Sequence, residues 1–185
     1  MKRIVFNSLM SLSLSLSVVL SAAAAATVDE SVRQYRESLA GARSTFNADM
    51  AHCRNAPSDE RDLCRAQARA VHRKAGAEAL AQRRNTAQAR VDARIATAEA
   101  DHELARAGCK AARGNARDAC LQQAKAQRVA AVRTAMADLS VTQARDRARE
   151  QKRKAYYRAS REKCDALAGA ARQACMTLAR AQYGE

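Results

Sequence analysis

Six cysteines are the residues of this chain best suited to chemistry. They fall as Cys53/Cys64, Cys109/Cys120 and Cys164/Cys175, three pairs each written C-x10-C. A thiolate can attack a substrate, bind a metal or join a second sulfur. The spacing disfavours the first two. There is no C-x-x-C redox pair and no C-x-x-C-H haem attachment site. A zinc set could be assembled from Cys53, Cys64, His52 and His72, but the residues around the other two pairs are not histidine. His102 stands one heptad before Cys109, where Phe46 stands before Cys53 and Tyr157 before Cys164, so a packed or partly exposed ring is expected there rather than a catalytic base. No nucleophile elbow, paired-carboxylate cleft or phosphate loop is present. The expectation is therefore no enzyme, no cofactor, no metal and no catalytic residue, with oxidation to disulfides as the chemistry that remains.

The pairs start 56 and then 55 residues apart, which marks an internal repeat. Ser58, Gly114 and Gly169 align at the middle of the interval, and Arg61, Arg117 and Arg172 align three before the second cysteine. An Ala-basic-Ala triplet follows in each copy, at 68–70, 124–126 and 179–181. Two arrangements fit ten intervening residues. In an unbroken helix the cysteines would lie about 16 Å apart, beyond the roughly 7 Å Cα limit for a bridge, and would have to pair between helices or chains. With a turn midway they would face each other across an αα-hairpin. Pro57-Ser58-Asp59, Gly114-Asn115 and Gly169 supply breakers and N-caps at the centre, so the second is preferred. Of the 15 pairings open to six cysteines, the expected one is Cys53–Cys64, Cys109–Cys120 and Cys164–Cys175. Each bridge closes a short loop worth roughly 3 kcal/mol on the entropy model.

The elements carrying these turns must be helices. About a quarter of the 185 residues are alanine, and one proline, six glycines and 3% aromatics leave little for a sandwich or a thick core. Back from Cys53, apolar residues recur as Met50, Phe46, Ala42, Leu39, Tyr35 and Val32, the 3-4 alternation of a helix seam. Back from Cys109 the series is Ala105, His102, Ala98, Ile95 and Val91. The expected fold is all-α: three disulfide-stapled antiparallel helical hairpin repeats, elongated and coiled-coil-like or solenoid-like. Helices are expected over about 28–55, 59–110 and 115–166, with a last short helix, after a turn, to about 183. Arg84-Asn85-Thr86 and Leu139-Ser140-Val141-Thr142 are the places where the two long ones could break; helix propensity mildly favours continuity or a kink, and a break at either is left open. The repeat units run over about 28–84, 85–140 and 141–185.

Met1-Lys2-Arg3, an apolar, serine-diluted run and Ala22 to Ala26 match a secretory signal. Residues 1–26 are expected to be removed, with cleavage after Ala24 or Ala26, leaving 27–185 as the mature helical repeat domain in the periplasm or secreted. No later segment is apolar enough to span a membrane. Oxidising surroundings then suit the disulfides. The whole chain carries a formal charge of +14, and loss of Lys2 and Arg3 leaves +12. Basic residues concentrate at Arg83-Arg84, from Arg145 to Arg149, and at Lys152, Arg153, Lys154, Arg158 and Arg161, interspersed with Asp and Glu. Export and the shortage of aromatics argue against nucleic acid as a partner. Membrane head groups, lipopolysaccharide, cell-wall polymers or an unknown protein partner are what such a surface would meet; oligomerisation is left open.

With its export signal, alanine- and arginine-rich helices and Cys109-to-Cys120 segment of the form C-x-x-x-x-G-N-A-x-D-x-C, the chain resembles exported betaproteobacterial proteins loosely labelled TolA-like cell-envelope proteins. Pro57-Ser58 and Ala170 depart from the Gly-Asn pattern in the outer repeats. The resemblance implies a cell-envelope location and no particular activity. A second resemblance, carried by Leu139-Ser140-Val141-Thr142-Gln143, is to small helical periplasmic chaperones of the Spy/CpxP type, which carry L-T-x-x-Q. The functional expectation is a non-enzymatic exported structural or interaction protein of the cell envelope, the alternative a periplasmic holdase-type chaperone or stress protein.

Overall fold

The computed structural model describes the backbone of residues 15–184 and the side chains of residues 29–184. The expected leader, 1–26, lies outside the described side chains and, up to residue 14, outside the described backbone. Five helices occupy nearly all of the rest: α1 (Ser15–Arg54), α2 (Arg61–Arg84), α3 (Ala87–Gly108), α4 (Gly114–Asp165) and α5 (Gly169–Tyr183). There is no strand among the described residues, and no helix there is long and apolar enough to cross a membrane. The helical run of α1 reaches back to Ser15, well before the expected start near residue 28.

Each C-x10-C interval holds a turn, and its cysteines are joined. Cys53–Cys64, Cys109–Cys120 and Cys164–Cys175 have Cα separations of 5.5, 5.7 and 5.6 Å. Local chemistry makes each bend. In the first, the Pro57 carbonyl accepts from Glu60 N at 3.1 Å and Arg61 N at 3.0 Å, starting α2. In the second and third, Gly114 and Gly169 take φ of +53° and +58°, a region that penalises any Cβ. At the first and third bends no side-chain cap takes part: Glu60 precedes α2 and Ala168 precedes α5 without a capping hydrogen bond. The expected N-caps are thus replaced by backbone geometry and by the bridge beside it.

The two doubtful sites resolve oppositely. Asn85 breaks the chain between α2 and α3. It adopts φ 46°, ψ 37°, and its N–H donates to Ala81 O at 2.9 Å; asparagine is the non-glycine residue that best tolerates that conformation. Thr86 then caps α3, its Oγ1 accepting from Ala89 N at 3.0 Å. The break left open here is made by that pair of caps, against the mild preference of propensity for continuity or a kink. At 139–142 the hydroxyls turn inward along the helix instead. Ser140 Oγ donates to Ala137 O at 3.0 Å and Thr142 Oγ1 to Asp138 O at 2.9 Å, which satisfies them without ending α4.

The chain divides into two compact units, residues up to 133 and residues from 134 on. In the first, α2 lies between α1 and α3. Buried Ala66, Ala70 and Ala81 fall on one side of α2, and buried Ala68 and Ala79 on the other. Ala81 packs with Ala89 and Ala93 of α3. The other side carries His72, whose ring stacks on Phe46 of α1 at 4.9 Å, and Arg83, which lies 5.0 Å over Tyr35 of α1. In α3, Ala89, Ala93 and Ala100 share one side while Val91 and Ala98 share the other. Alanine permits this two-sided burial because its small side chain lets neighbouring backbones approach on both flanks. Ion pairs frame the packed faces: Arg73 grips Glu103 through two bonds of 2.8 and 2.6 Å, Lys74 meets Asp101, and Arg128 meets Glu99 at 2.6 Å. The apolar seam read before Cys53 is present as a half-buried stripe along α1.

In the second unit α5 folds back along the last turns of α4. The Cys164–Cys175 bridge joins them near the bend. At the far end Arg153 donates to the carbonyls of Tyr183 and Gly184, and Tyr183 packs against Tyr156 and Tyr157 with ring centroids 6.4 Å away. The guanidinium thus sits at the C-terminal end of α5, where the helix dipole favours a cation.

Candidate functional site

The five basic residues singled out in the sequence all belong to the outer half of α4, within the second unit, but they do not share one role. Arg153 is half-buried and holds α5, with Glu150 accepting from its Nε at 2.9 Å and its Nη2 at 2.7 Å. Lys154 shares the same carboxylate at 3.2 Å. Hydrogen bonds from Arg153 and then Lys154 pull the Glu150 carboxyl down to about 2. Lys152, Lys154, Arg158 and Arg161 are exposed. Lys152 lies 5.7 Å from the centroid of Tyr156 and Arg161 lies 5.9 Å from that of Tyr157, contacts worth about 0.5–1 kcal/mol at exposed sites.

Helical spacing sorts these cations into two stripes. Arg147, Lys154, Arg158 and Arg161 follow one another at steps of seven, four and three, which places them within one narrow arc. Arg145, Arg149, Lys152, Tyr156 and Lys163 recur at i, i+4, i+7, i+11 and i+18, a second stripe on another side of the helix. That second stripe contains no carboxylate between its ends; Asp146 reaches Arg149 from outside it at 3.8 Å. Charges so placed repel one another on a solvated face and attract any polyanion laid along it.

The second stripe leads into a groove of about 420 Å³ between α4 and α5. Ser160, Lys163 and Cys164 form one wall, and Ala171, Ala174 and Leu178 belong to the other. Leu178 is 70% exposed, more than any other large apolar side chain among the described residues. Sequence reasoning passed over both Lys163 and Leu178. The signal was in the repeat: three residues after the second cysteine stand Gln67 and Gln123 in the first two copies and Leu178 in the third.

The cysteines are all bridged, and no group of three or more potential metal ligands occurs among the described residues. His72 is occupied by Phe46 and by the Ala42 carbonyl at 3.3 Å. His102 is half-buried and lines a shallow groove with Ala98, Ala124 and Arg128. Comparison with protein-family models, with curated proteins and with solved structures returns no match for this chain.

Proposed function

We propose that this chain is an exported, non-enzymatic module of a bacterial cell envelope that adheres to anionic envelope components through the cationic outer half of α4. The observation that carries the proposal is the pair of basic stripes, one of them free of carboxylates from Arg145 to Lys163 and flanked by the exposed Leu178. The disulfides support an oxidising compartment, where local bridges of this kind persist. Rigid helices with cations at fixed intervals bind polyanions by counterion release and charge, which is salt-sensitive and needs no deep pocket.

Cosedimentation with phosphatidylglycerol vesicles and with phosphatidylcholine vesicles tests this reading. Binding to the anionic vesicles at low salt is expected, with loss at about 0.5 M salt, where the screening length falls to a few ångströms. Replacing Arg145, Arg149, Lys152 and Lys163, the cations of the carboxylate-free stripe, together with glutamine should weaken it strongly. Equal binding to both vesicle types, or cytoplasmic fractionation of a chain that keeps residues 1–26, would overturn the proposal. A holdase-type chaperone is the second reading, favoured by Leu178 and the groove beside it. It requires suppression of aggregation of a reduced client near stoichiometry, with Leu178→Gln weakening the effect.

A further inference from the structure

We propose that a groove framed by α2, α3 and the start of α4 is a binding site for a phosphoryl group. It has a volume of about 340 Å³ and lies within the first unit. Ala66, Ala107 and Leu121 give it apolar surface. Arg69, Arg106 and Arg117 line it from three different helices. Asp62, Glu103 and Lys110 complete the rim.

The carboxylates are already engaged. Lys110 holds Asp62 at 2.9 Å, and Arg73, from outside the groove, holds Glu103 through two bonds. Those hydrogen bonds keep both acids below the usual carboxylate range, so they stay ionised and paired. Arg69 lies near enough to Asp62 and Glu103, and Arg106 to Glu103, for charge attraction to help keep those acids ionised, but neither they nor Arg117 make a direct ion pair among the described residues. Two acids hydrogen-bonded to two cations thus brace the walls, and the N–H donors of three guanidinium forks are left for a ligand.

The repeat explains why Arg117 is available. Its counterparts serve their own turns: Arg61 donates to Ala56 O at 3.2 Å, and Arg172 pairs with Asp165 at 2.7 Å. Asp165 directly follows its cysteine; the equivalent residue in the second repeat is Lys110, which repels an arginine. Arg117 therefore lines the groove. Arg106 is likewise replaced by Met50 in the first copy.

Three forks from three walls suit a tetrahedral anion better than a carboxylate, whose two oxygens lie in one plane. The volume lies in the range of about 300–1,000 Å³ common to small-molecule sites, which leaves room for a sugar-sized group over Ala66, Ala107 and Leu121. The ligand class is thus a phosphomonoester.

Calorimetric titration of the oxidised full chain with glucose 1-phosphate, inorganic phosphate and glucose tests the site. Glucose 1-phosphate is expected to bind with a dissociation constant of about 1 mM or tighter at low salt, and glucose not at all. Inorganic phosphate binding as tightly supports a phosphoryl site whose natural occupant is the free anion. Arg69→Gln, Arg106→Gln and Arg117→Gln should each weaken binding about tenfold, with helix content and disulfides unchanged, whereas Arg43→Gln, on α1, removes the same charge without effect. No binding up to about 10 mM, or an equal loss in the Arg43 variant, overturns the proposal. Neither result bears on vesicle binding by the outer half of α4, which is read separately.

Discussion

In the first unit, α2 and α3 bury alanines on two flanks each, from Ala66 to Ala100, and Cys53 and Cys109 lie inside that packing. In the second, from residue 134 on, the buried apolar residues are Ala135, Cys164 and Ala179, and α5 is held by a bridge, an arginine and a tyrosine cluster. The same covalent device therefore does different jobs. Between α1 and α2 it reinforces helices that are already packed along their length; between α4 and α5 it substitutes for packing that is largely missing.

The sharpest way to break this comparison is to remove the bridges separately. Cys164→Ala with Cys175→Ala should release α5, so that its amides lose protection from hydrogen exchange at temperatures where α2 and α3 remain protected. Cys53→Ala with Cys64→Ala should instead leave the helices folded and lower the melting temperature by roughly 10 °C, from a loop-closure term of about 3 kcal/mol. A persistently protected α5 in the first variant would show that the hairpin has a core of its own.

Packing provides the next test. Ala100 is fully buried, and Ala100→Leu should cost about 1–3 kcal/mol through overpacking, measured by chemical denaturation. In the hairpin, Leu178→Ala should change stability by less than about 0.5 kcal/mol, because that side chain buries little. Smaller still is the contrast between two threonines. Thr86→Ala removes a cap and should cost about 1 kcal/mol, whereas Thr142→Ala removes only a back-bond within α4 and should be neutral or slightly stabilising in the same assay.

The smallest expected effect is one of acid. Glu150 has a folded value near 2 against an ordinary 4.5, so its ion pairs support the hairpin fully above the ordinary value. That support fades as the pH falls from about 4.5 toward 2. Exchange rates of α5 amides, corrected for intrinsic pH dependence, should rise across that window and cease to vary in Glu150→Gln. An unchanged profile in that variant would assign the acid sensitivity elsewhere.

Much of this arrangement was legible in the sequence because covalent and steric signals repeat. Three C-x10-C intervals with proline or glycine at their centres led directly to the turns, and the 3-4 stripe before Cys53 led to one face of α1. The break at Asn85 was not legible from propensity, since no proline or glycine marks it; an asparagine able to adopt a left-handed backbone followed by a capping threonine was the pair to weigh. The opposite result at Ser140 and Thr142 shows that hydroxyl residues alone do not decide such sites. Two-sided burial escaped notice for a related reason: alanines two apart, as at 66, 68 and 70, carry too little hydrophobic contrast to stand out from an alanine-rich surface. The basic run on α4 was visible, but Arg153 could not be told from its neighbours until its contact with the end of α5 was seen.

The short span of each bridge has a mechanical consequence. A disulfide between residues 11 apart shields its own bend from tension and nothing beyond it. Under a pulling force the long helices between bridges are free to unravel, while the three bends remain closed as small knots along the chain. Each would yield only when reduced, releasing roughly 30 Å of hidden length. Such a chain lengthens between its bridges yet keeps three closed bends from which the hairpins can re-form.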